Sequence, residues 1–80
     1  METVKVNNRW TDLQSWPVAR ITKNFIVAQV NDVATINYRR KDGNRTGDVW
    51  IGEKIPTDEL QRLNALADAN GGTWKPGKGN

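Results

Sequence analysis

Eighty residues, 36% of them apolar, carry twelve Lys and Arg against nine Asp and Glu, for a net charge of +3. A chain this size makes one small domain that buries only ~60% of its unfolded surface. It holds neither cysteine nor histidine, which removes disulfides, thiol nucleophiles, the usual zinc sites and imidazole as a general base.

No run reaches the ~18 apolar residues of a membrane span. The first residues, "METVKVNNRW", lack the apolar core of a secretion signal. The expectation is a cytoplasmic protein with no membrane contact. The remaining carboxylates, lysines and hydroxyls form no nucleophile-and-base pattern, so we expect no enzyme, no cofactor and no metal.

Residues 1–17 read as an N-terminal segment. In it, "TVKV" (3–6) alternates like an edge strand, and "TDLQSW" (11–16) reads as a helical turn before Pro17. Trp10 and Trp16 flank Leu13 and suit a cap over one end of the core. "VARIT" (18–22), "FIVAQV" (25–30) and "VATINYRR" (33–40) are β-branched and aromatic runs of strand length. Asn31-Asp32 reads as a two-residue turn between the latter two. Asp42-Gly43, a strong turn signal, leads to a further strand near 44–51. Residues 18–55 therefore predict an antiparallel β-meander of three to four strands.

"PTDELQRLNALADANGG" predicts a helix over 57–70. Thr57 stands at the N-cap, and Asp58 and Glu59 lie in the first turn, where the dipole favours negative charge. Leu60, Leu63, Leu66 and Ala67 form one apolar stripe, and Asn70, Gly71 and Gly72 end the helix. The fold class is α+β: the meander with this helix packed on one face, all within residues 1–72. Residues 73–80 read as a flexible basic tail in which Trp74 either folds back or meets a partner.

With Asn31-Asp32 as the turn, Val30 faces Val33 and Phe25 faces Tyr38. Phe25, Val27, Ala34, Ile36 and Tyr38 then share the core face. Ile26, Ala28 and Val30 share the other face with Thr35, Asn37, Arg39 and Lys41. A tight Asp42-Gly43 turn places Trp50 opposite Thr35 on that polar face, and sets Arg40 against Arg45. A slip of one residue would reverse these assignments.

Charge is uneven along the chain. Residues 20–45 carry a net +4, residues 46–70 a net −3 and the tail a net +2. The cations cluster at "NYRRKDGNRTG" (37–47), where like charges around a turn repel one another. A polyanion would relieve that repulsion. The candidate nucleic-acid-binding residues are Lys23, Asn37, Arg39, Arg40, Lys41, Arg45 and Trp50. The cations would clamp phosphates, Trp50 would stack on bases, and Asn37 would bond a base edge or sugar.

The expected function is thus non-enzymatic binding of DNA or RNA on a basic sheet face and hairpin. The alternative is a protein-binding inhibitor or adaptor of phage or mobile-element type, acting on a host protein. Four tryptophans with several arginines have the composition of interface hot spots. An exposed strand edge, or a bare patch at Ile26, Ala28 and Val30, would call for a homodimer.

Hairpin strands followed by one helix, over roughly residues 25–68, resemble two small DNA-binding types. One is the transcription-coactivator domain that binds single strands on a curved sheet, and the other is the three-strands-and-helix domain that enters the major groove. "DVWIGEKI" before the helix resembles the end of a chromo-type barrel. These resemblances imply a sheet-based α+β fold, and no signature motif accompanies them.

Overall fold

The computed structural model describes residues 2–7, 13–46 and 53–76. Its elements are β1 (Thr3–Asn7), β2 (Leu13–Ile21), β3 (Phe25–Gln29), β4 (Thr35–Arg39) and α1 (Thr57–Ala69). The four strands form one antiparallel sheet in the order β1-β2-β3-β4, so the α+β meander stands.

The residues of 11–16 that lie within the described part belong to a strand, not a helical turn. β2 runs through Pro17, pairing with β1 over Leu13–Pro17 and with β3 from Val18 onward. A register shift between Val18 and Arg20 bends the strand at this change of partner, and such irregularities increase local twist. The sheet curls as a result.

Backbone pairing then carries the curl round. Beyond β4, Tyr38 bridges Arg45 and Asn44 bridges Lys54. Lys54 in turn exchanges two backbone hydrogen bonds with Asn7 of β1, at 2.8 and 3.2 Å. The ring of strands and bridges returns to its start, an arrangement that covers the strand edges. The rest of the strand expected near 44–51, Trp50 included, lies outside the described residues.

The helix covers what is left of the β1 edge. Arg62 donates to the Thr3 carbonyl at 2.8 Å, and the Glu59 carboxylate accepts the Lys5 N–H at 3.0 Å. Leu60, Leu63 and Ala67 are buried, together with Val4, Val6, Val18, Ile21, Ile26, Ala28, Tyr38 and Ile55. Burying one leucine such as Leu63 contributes ~1.5–3 kcal/mol. Trp16, Ile36, Leu66 and Trp74 pack against this core from its rim.

Both ends of α1 follow from backbone bookkeeping. Pro56 occupies the N-cap in place of Thr57, which is already helical, and no side chain caps this end. The Pro56 carbonyl still accepts the first helical bond, from Leu60 N–H at 2.8 Å. At the other end Gly72 N–H reaches the Ala67 carbonyl and Gly71 N–H the Asp68 carbonyl. Gly71 is left-handed at φ 85°; this is the Schellman pattern.

The expected tail is pinned where it begins. Trp74 and Ile21 exchange two backbone hydrogen bonds, at 2.7 and 2.9 Å, so the tryptophan folds back onto the core. Residues 77–80 lie outside the described part, as does Trp10.

The β3–β4 register differs from expectation by one residue. Ile26 faces Tyr38, Ala28 faces Ile36 and Phe25 faces Arg39. The loop is longer than two residues because the Ala34 carbonyl accepts the Val30 N–H, while the Asn31 side chain accepts the Val33 N–H. Val33 is thrown to the tip, 92% exposed. The slip turns β3 over relative to β4: Ile26 and Ala28 enter the core and Phe25 faces outward, while Val27, expected in the core, is buried at 3% exposed. The bare patch expected at Ile26 and Ala28 does not form, and with it goes one ground for a homodimer.

Candidate nucleic-acid interface

The outward face of the sheet is built from three rows. Lys23 and Asn24 form the tip of the β2–β3 turn, which is closed by the Thr22 N–H bonding to the Phe25 carbonyl at 2.8 Å. Phe25 and Arg39 pair across β3 and β4. One step along, Arg20, Val27 and Asn37 align across three strands. Arg20, Lys23, Asn37, Arg39 and Lys41 are exposed, whereas Phe25 is half-buried.

An open groove of about 770 Å³ lies where this face meets the C-terminal end of α1. Its walls include Lys23, Phe25, Arg39 and Lys41 on the sheet side, and Asn64, Asp68 and Gly72 on the helix side. The volume is within the range of small-molecule sites, ~300–1,000 Å³.

Arg40 is also in the wall, but its guanidinium is already committed. It donates to Asn64 Oδ1 at 2.7 Å, to the Gly72 carbonyl at 2.9 Å and to the Thr22 carbonyl at 3.0 Å. A longer bond reaches the Lys23 carbonyl, and Asp68 lies 3.5 Å away. Asn64 returns a bond to the Arg40 carbonyl. With only 14% of its side chain exposed, Arg40 fastens two turns to the helix end. Expected as a phosphate clamp, Arg40 has its guanidinium engaged in these structural bonds.

Arg45 is turned inward as well. It pairs with the buried Glu53 at 2.9 Å, and the other Glu53 oxygen accepts the Tyr38 hydroxyl at 2.6 Å. Arg45 stands opposite Tyr38, so the repulsive Arg40–Arg45 pair expected from a tight turn is absent. The reason is a longer loop: Arg39 N–H bonds to the Asn44 carbonyl, leaving four residues in the turn. Gly43 takes φ 79° there.

The remaining cations are available to a ligand. Arg39 meets Asp42 at 3.2 Å in an exposed pair, of a kind worth ~0–1 kcal/mol. The Asn44 N–H bonded to Asp42, followed by Arg39, holds that carboxyl below its ordinary value. Lys23 and Lys41 make no ion pair among the described residues. Asn37 uses its carbonyl to hold Thr46, and its side chain stands on the open face beside Phe25 and Arg39.

Comparison with known proteins finds no matching family model, no matching curated protein and no matching solved structure. The geometry stands alone.

Five of the seven expected site residues share one face or groove: Lys23, Asn37, Arg39, Arg40 and Lys41. Arg40 and Arg45 serve the fold, and Trp50 lies outside the described residues. The residue missed from the sequence is Phe25. Parity counted from a two-residue turn put it in the core; only the alternative of a longer loop, containing Asn31 as a side-chain acceptor, exposes it. No group of three or more metal-ligating side chains occurs among the described residues, and none of their helices is long and apolar enough to cross a membrane.

Proposed function

We propose that this protein binds single-stranded nucleic acid without catalysing a reaction on it, through the groove and the adjoining sheet face. The observation that carries this reading is Phe25 held beside Arg39, with Lys23 and Lys41 on the flanking turns. An aromatic ring among cations offers a base a stacking surface and its phosphates a neutralising one. Stacking is worth ~1–3 kcal/mol per base. A duplex keeps its bases stacked on one another, so it could engage the cations alone.

Arg20 and Asn37 extend the surface along the sheet by one row. The Arg39–Asp42 pair is weak enough to be exchanged for a phosphate contact. The site departs from the sequence expectation in one respect: the stacking ring is Phe25.

Fluorescence anisotropy of labelled single strands and duplexes, each at two salt concentrations, tests the proposal. Tighter binding of single strands and a steep loss with salt are expected. Lys23→Ala with Lys41→Ala should reduce the salt slope by about 2, and Phe25→Ala should abolish the preference for single strands. Absence of binding at low salt, where electrostatic attraction is strongest, would overturn it. The protein-binding alternative would then lead.

A further inference from the structure

A phosphate-binding groove has no electrostatic use for a carboxylate, yet Asp68 lines this one. Among the described residues it is the one acidic side chain in the wall. Its side chain is 74% exposed, and a single contact with Arg40, 3.5 Å long, holds it. That contact is long and solvent-exposed on the Asp68 side, a kind of pair that contributes little, and Arg40 is anchored independently by shorter bonds to Asn64, Gly72 and Thr22. Asn64 is oriented by Arg40 through both its oxygen and its nitrogen, which leaves its neutral amide one acceptor position at most. On the helix side of the groove, Asp68 is therefore the described side chain that offers two adjacent acceptor oxygens.

Resting on the nucleic-acid reading above, we propose that the groove selects an unpaired guanine, stacked on Phe25 and read by Asp68. A carboxylate accepts and does not donate, and its two oxygens suit a pair of adjacent donors. Guanine presents such a pair on its pairing edge, the N1–H and the 2-amino group. Uracil and thymine present one N–H between two carbonyl oxygens, which a carboxylate repels. Cytosine and adenine each offer one amino group beside an acceptor. The carboxylate thus favours guanine and disfavours uracil or thymine, while Lys23 and Lys41 hold the phosphates.

The test uses short uridine strands with one central guanosine, inosine or uridine, titrated by fluorescence anisotropy at low salt. Inosine keeps the N1–H and lacks the 2-amino donor. For the native protein we expect guanosine to bind about fivefold more tightly than uridine, with inosine between them. Asp68→Asn should remove that order: guanosine loses its advantage of about fivefold and falls to the affinity of the uridine strand, which itself stays equal or rises because a negative charge is lost. Its thermal melting should be unchanged, given the exposure of the side chain. Native protein that binds all three strands equally would overturn the guanine assignment and leave the nucleic-acid reading intact, as would an order that survives in Asp68→Asn. Failure of every strand to bind would overturn both.

Discussion

The hydroxyl of Tyr38 donates a 2.6 Å hydrogen bond to Glu53, across fifteen residues of chain. Arg45 holds the other oxygen of the same carboxylate. Tyr38 is fully buried and Glu53 is 9% exposed, so the segment that begins at Glu53 is latched to β4 by a side-chain network as well as by the backbone bridges at Lys54. Loss of either partner of a buried bond leaves the other unsatisfied, at ~1–3 kcal/mol. Tyr38→Phe should therefore destabilise by about that amount in urea denaturation, since the ring is kept and only the hydroxyl is lost.

The same bond fixes an alkaline limit. Burial first, and then the Glu53 contact, push the Tyr38 phenol well above its ordinary value. An unfolded tyrosine releases its proton near pH ~10, while the folded one retains it. The unfolded state then binds fewer protons, so the Tyr38 contribution is constant below pH ~10 and is lost as pH rises beyond it. Tyr38 is the chain's one tyrosine. Tyrosinate absorbance should rise together with loss of circular dichroism; tyrosinate formed in a still-folded protein would contradict this.

Gly43 is required for two reasons that can be separated. Its φ is +79°, and a Cβ there would stand 2.8 Å from the Ile55 carbonyl oxygen. Gly71 has a similar φ, +85°, with nothing within 4 Å. Gly71→Ala should cost ~1 kcal/mol of conformational strain. Gly43→Ala should cost ~3 kcal/mol or more, because backbone must move too. Equal losses in chemical denaturation would show that Ile55 yields freely.

Arg40 and Lys41 are neighbours with opposite duties. Arg40→Met should lower stability by ~2–3 kcal/mol, because it strips charged hydrogen bonds from Thr22, Asn64 and Gly72 at once. Lys41→Met should leave the urea midpoint unchanged and weaken oligonucleotide binding. A reversed pattern would return Arg40 to the binding surface.

Glu59 sets an acid limit of modest size. Its bonds from Arg62, and next from the Lys5 N–H, hold its carboxyl below the ordinary glutamate value. A depressed folded value means that its contribution is present above pH ~4.3 and is lost as pH falls through the lower folded value. Glu59→Gln should cost up to ~1 kcal/mol at neutral pH and make the acid limb of stability against pH shallower. An unchanged limb would place the acid sensitivity elsewhere.

Local signals in the chain were sufficient for much of the fold. The strands at 3–7 and 25–29, the turn at Asp42-Gly43 and the helix with its glycine stop all rest on periodicity and on residues whose backbone preferences are intrinsic. The exposed positions of Lys23, Arg39 and Lys41 were legible for the same reason: turn tips and the polar parity of β4 do not depend on distant partners.

What the chain could not decide alone was which distant group each side chain would meet. A loop one residue longer turned β3 over and exchanged Phe25 for Ile26, because strand parity amplifies a single-residue slip. The run of cations looked uniform from 39 to 45, yet Arg40 found the helix end and Arg45 found Glu53, leaving Arg39 and Lys41 on the surface. Sequence determined where strands, turns and charges lie. Tertiary packing decided which charges are consumed by the fold and which ring faces outward, since burial and pairing depend on residues eight to thirty-two positions away.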